Sequence, residues 1–145
     1  MPVTDHQIAT LRAMLAADFD EYDRLRGQLD RDADRDGYSA LIAAGFFRAA
    51  NRRFSKDTTD AEVIEFVGDV RARSGRVGDR LDPHVAEANI RAALGREADT
   101  DFDSDTIVST QLLLLAAFIA DAHLDDTELG TFLADVRELA DKWMT

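Results

Sequence analysis

Apolar residues recur at steps of three or four along almost the whole chain, and nowhere at steps of two over a useful length. That period admits helices and excludes a sheet, because one helix face returns every 3.6 residues and one strand face every second residue. Ile8, Leu11, Leu15, Phe19, Tyr22, Leu25 and Leu29 form the first stripe. Thr4 with Gln7 makes a capping box at its start, and Val3 with Ile8 makes the hydrophobic staple around that box. The spacing predicts one long N-terminal helix of about seven turns, with Asp18 interrupting its seam. Such a long stripe suits a contact with a second copy, so a homodimer is expected.

A second helix is expected over 38–54, turning Leu41, Ile42, Gly45, Phe46, Ala49 and Phe54 inward. Thr59 and Glu62 form another capping box and open a third helix, with Val63, Phe66, Val67 and Val70 as its apolar face. A turn at 74–78 ends it. Asp82 followed by Pro83 starts a short fourth helix that stops at Gly95. A fifth covers 105–122 and is apolar almost all round, which predicts a buried central helix. A sixth covers 126–143, capped by Asp125 with Glu128 and stapled by Leu124 and Leu129. Its last residues, Trp143 and Met144, are expected to pack on the bundle. The reading is an all-α protein, a single domain over 1–145 with about six helices. An offset of 66 residues lays Glu62, Phe66, Asp69, Val70 and Arg71 on Glu128, Phe132, Asp135, Val136 and Arg137. Segments 38–73 and 105–143 are therefore candidate repeated hairpins.

Composition narrows the function classes. At 145 residues the chain has the length of one domain that buries a core without staples. With no cysteine, disulfides and thiolate metal sites are excluded and a reducing cytoplasm is the expected compartment. The first residues lack the basic and apolar regions of a signal peptide. The longest uncharged run, 106–120, is shorter than the roughly 20 residues that span a bilayer. The formal net charge of −12 and pI near 4.5 argue against nucleic-acid binding, since phosphates would be repelled. Asp outnumbers Glu 22 to seven and Arg outnumbers Lys fifteen to two, a bias that a GC-rich genome also produces. The charge is uneven. Residues 97–145 hold twelve carboxylates and two basic residues, whereas residues 46–80 hold eight basic residues and six acids.

Three acidic stretches are candidates for chemistry. Asp32, Asp34, Asp36 and Gly37 match the first half of an EF-hand calcium loop, but Ala43 stands where the bidentate Glu is required. An acidic, glycine-containing turn that ends the first helix and caps the second explains the stretch better. Asp99, Asp101, Asp103 and Asp105 alternate ahead of the fifth helix, where carboxylates favour the helix N-terminus and present a surface to a basic partner. At the joint 120–129, Asp121, Asp125 and Glu128 offer oxygen ligands suited to Ca²⁺ or Mg²⁺, and His123 adds a nitrogen. Asp125 and Glu128 also serve as a capping pair there.

The joint, with Asp121, Leu124, Glu128 and Leu129 between two apolar helices, resembles the helical hairpin of the TerB-like, tellurite-resistance-associated family. Ala122 stands where that family has a turn glycine. The resemblance covers about residues 106–140 and implies an all-helical fold of pseudo-repeated hairpins. It also implies divalent-cation binding through Asp121 and Glu128. Histidines occur only at 6, 84 and 123, and no phosphate-binding loop or dinucleotide glycine motif is present, so an enzyme is not expected. The leading expectation is an acidic interaction or regulatory module for a basic protein partner or for itself, acting on neither nucleic acid nor membrane. The alternative is a TerB-like divalent-cation module of a stress-response system.

Overall fold

Local capping decides most of the helix starts, and the computed structural model, which describes residues 3–29, 32–99 and 101–144, places eight helices along them. They are α1 (Asp5–Leu15), α2 (Phe19–Arg26), α3 (Asp32–Arg53), α4 (Asp60–Arg73), α5 (Gly75–Asp79), α6 (Pro83–Ala93), α7 (Ser104–Ala122) and α8 (Asp126–Trp143). The described residues contain no strand. The fold is all-α, with eight helices among the described residues where about six were expected.

The extra helices have local causes. The long first helix is broken in two. Ala17 takes a left-handed φ of 60°, while the Asp18 N–H bonds the Ala13 carbonyl at 2.9 Å and the Ala17 N–H bonds that of Met14 at 3.1 Å. This pattern is the Schellman helix stop. The Asp18 side chain then caps α2 by accepting the Glu21 N–H. Phe19, expected on the inward stripe, lies at the start of α2 and is 56% exposed. The turn expected after α4 contains the short helix α5. Its Gly78 is buried so close to the Arg71 backbone that a Cβ there would collide with it.

The second expected helix starts earlier, at Asp32. Gln7, buried in α1, explains part of this extension. Its Oε1 accepts the Thr4 N–H at 2.9 Å, and its Nε2 donates to the Asp34 carbonyl at 2.8 Å. Gly37 leaves room for that amide, whose Nε2 would lie 2.5 Å from a Cβ at this position.

The expected single domain consists of two compact units. Unit 1 comprises residues 1–45 and 119–145, and unit 2 residues 46–118, so the division falls within α3 and within α7. In unit 1, α1 contacts α2 and α8. In unit 2, α4 contacts α5 and α6. Phe66 stacks on Phe118 with centroids 4.8 Å apart, and Phe54 meets both rings edge-on, giving unit 2 an aromatic core.

The fifth expected helix, now α7, is less central than its composition suggested. Thr110, Leu114, Leu115, Phe118 and Ile119 are buried, but Leu112 and Leu113 are only half-buried. By length and composition α7 could cross a membrane, a test that core helices of globular proteins also pass; 28% of its apolar window is buried. Trp143 is about half exposed.

Candidate functional site

The joint between α7 and α8 is built by capping. Asp125 sits at the N-cap of α8 and accepts the Glu128 N–H at 2.8 Å, while Glu128 returns a carboxylate oxygen to the Asp125 N–H at 3.1 Å. Each of the two carboxylates thereby directs one oxygen at the backbone, where the helix dipole favours it. Leu124 is half-buried and Leu129 buried, in the staple positions. Ala122, the residue in place of a family glycine, remains helical; the left-handed position is His123, with φ 52°. Arg12 of α1 approaches from outside and donates to the Asp126 carbonyl at 3.1 Å.

Asp121, His123, Asp125 and Glu128 are all exposed. Among the described residues no group of three or more His, Asp or Glu side chains is arranged to hold a metal ion. Asp32, Asp34 and Asp36 belong to the opening turns of α3 rather than to a loop. An EF-hand calcium site needs a loop backbone at these positions, and a helix is not one, so the calcium-loop match has lost its backbone.

The alternating acids 99–105 lie ahead of α7 in unit 2. Asp103 takes the capping role, accepting both the N–H of Thr106 at 3.2 Å and its hydroxyl at 3.3 Å. Asp99 accepts the Asp101 N–H at 3.0 Å, a short local turn. His84, in the first turn of α6, lies 3.6 Å from the Asp99 carboxylate and meets the Phe102 ring edge-on. Glu97, Asp99, Asp101, Asp103 and Asp105 are all exposed. Among the described residues none of the five makes an ion pair with Lys or Arg.

The sequence pattern missed the arginines around these sites. Arg96 closes over the 54–59 loop, donating to the carbonyls of Lys56 and Thr58 and pairing with Asp60 at the start of α4. Arg91 pairs with the same Asp60 at 3.4 Å. Arg12, Arg91 and Arg96 carry no local signature, because their partners are about 31 to 114 residues away in the chain. Compared with known proteins, the chain matches no family model, no curated protein and no solved structure.

Proposed function

We propose that the chain is a non-enzymatic acidic interaction module whose segment 97–105 receives a basic protein surface. One observation carries this reading: five exposed carboxylates within nine residues, with a single histidine as their only ion-pair partner among the described residues. Charges of this kind, left in water, contribute to encounter rate and partner choice more than to folding. Replacing Asp99, Asp101, Asp103 and Asp105 by Asn keeps the cap of α7, since Asn caps as well as Asp, and removes four charges. The partner recovered by affinity capture at low salt is then purified and titrated against both proteins. Its affinity falls at least tenfold in the variant and weakens with salt as screening shortens the range of the field. Affinity indifferent to both changes rejects the reading.

The divalent-cation alternative rests on the TerB-like motif alone, because Asp125 and Glu128 already act as caps. Titration calorimetry with Ca²⁺ and Mg²⁺ decides it. Heat that disappears in Asp121→Asn would favour the cation module over the protein interface.

A further inference from the structure

Two helices of each unit correspond, in an order that crosses the chain. At an offset of 78 residues α1 and α6 coincide: both have eleven residues, an N-cap (Thr4, Asp82) and a buried aliphatic residue before it (Val3, Leu81). Both also end in the same way, with Ala17 and Gly95 left-handed and the N–H groups of Asp18 and Arg96 bonded five residues back to Ala13 and Arg91. At an offset of 66, α4 and α8 bury the same four positions, Val63, Phe66, Val67 and Val70 against Leu129, Phe132, Leu133 and Val136.

The ties between these helices correspond too. Arg71 of α4 donates to the Leu81 carbonyl ahead of α6 at 2.9 Å, and Arg137 of α8 donates to the Val3 carbonyl ahead of α1 at 2.8 Å. At the opposite ends, Arg91 of α6 pairs with the carboxylate of Asp60, the first residue of α4, and Arg12 of α1, one position off at this offset, donates to the backbone carbonyl of Asp126, the first residue of α8. Each antiparallel pair is therefore held at both ends by arginine. The pairs are α1 with α8 and α6 with α4, so each joins the first helix of one sequence repeat to the last helix of the other.

We propose that the chain is a tandem duplication of one three-helix unit, α1-α3-α4 and α6-α7-α8, whose two copies have exchanged their last helices; α2 is an insertion in the first copy. Exchange of an identical element between copies is a low-cost route to a joined pair, and here both copies lie in one chain. The segment 74–80 then joins α4 to α6 in unit 2 as a link between copies. In unit 1 the end of α8 and the start of α1 meet in the corresponding place, where the Val3 N–H bonds the Asp141 carboxylate at 2.7 Å. The proposal therefore makes a join from the end of α8 to the start of α1 equivalent to segment 74–80.

Two circular permutants test this, each retaining every residue and each joining 145 to 1 through the same flexible linker of about seven residues, the length of 74–80. One is opened within 74–80, between the copies; the other between His123 and Leu124, within a copy. The first is expected to keep the helical circular dichroism of the natural chain and to unfold in one transition within about 5 °C of it, with the second melting lower by more than that. Equal melting, the reverse order, or failure of both permutants to fold overturns the proposal.

Discussion

Units 1 and 2 place the same kind of helix pair on different interiors. In α6, Val85 and Ala88 are buried as apolar residues; at the offset of 78 the corresponding residues of α1 are Gln7 and Thr10, equally buried and polar. Unit 1 therefore needs partners where unit 2 needs only volume. Gln7 bonds Thr4 and Asp34, and the Thr10 hydroxyl bonds the His6 carbonyl at 2.8 Å. Unit 2 gathers phenylalanines instead. The difference teaches that the frame of a helix pair, its caps and end ties, is separable from what fills it. A buried amide tolerates only the geometry that satisfies it, whereas apolar side chains accept any arrangement that fills the space.

The largest test of this correspondence is at the last helices. Phe66→Ala and Phe132→Ala, at equivalent buried positions, should each cost about 3–5 kcal/mol in urea unfolding. A cost below about 1 kcal/mol at either position would break the correspondence.

Exchanging the interior residues probes the difference itself. Val85→Gln places an amide where no partner is provided and should cost about 2–3 kcal/mol. Gln7→Val removes the amide but leaves the Asp34 carbonyl unpaired, and should cost about 1–2 kcal/mol. Equal costs, measured by denaturant unfolding, would mean that the polar and apolar interiors are interchangeable.

The end ties come next in size. Arg71→Ala and Arg137→Ala should each lose about 1.5–2 kcal/mol, as expected for a charged donor on a carbonyl. In each variant, hydrogen exchange should quicken at the start of α6 or of α1 respectively, and not at the other helix.

The smallest effect has the opposite sign. Ala17 holds a backbone conformation that glycine adopts freely, as Gly95 does at the matching helix stop. Ala17→Gly should therefore raise stability by about 0.5 kcal/mol and Gly95→Ala lower it by about 1 kcal/mol, read as opposite shifts in thermal unfolding.

That pair of helix stops also shows why some of the fold was legible and some was not. Both use the same bonds, but only Gly95 announces its stop, because glycine is the usual residue at a left-handed position. Ala17 carries no such mark, so the stripe from Ile8 to Leu29 reads as one helix. The weaker cue was Asp18 three residues before Glu21, a capping pair hidden inside an unbroken apolar period. At the candidate site, the capping roles of Asp125, Glu128 and Asp103 could be read directly, since each is completed within three residues. The pairing of His84 with Asp99 and the approach of Arg12 to Asp126 could not.

The repeat was read at a single offset, which is right only where the repeat is gapless. Six residues separate α3 from α4, and three separate α7 from α8. The offset of 66 therefore holds for the last helices and becomes 69 for the middle ones when their ends are aligned. At 69, buried Leu41, Phe46, Ala49 and Ala50 fall on buried Thr110, Leu115, Phe118 and Ile119.

By itself the sequence determined that this chain is helical, where most of its helices start, and which face of α3, α4 and α8 turns inward. Those properties are settled within one or two turns, by a side chain capping an N–H three residues away or by apolar side chains repeating every third or fourth position. The tertiary structure alone decided which helices pair, and that α1 lies with α8 and α6 with α4. That choice is made between residues as far apart as Val3 and Arg137. Packing and charge–carbonyl bonds between such distant residues leave no periodic mark on the chain.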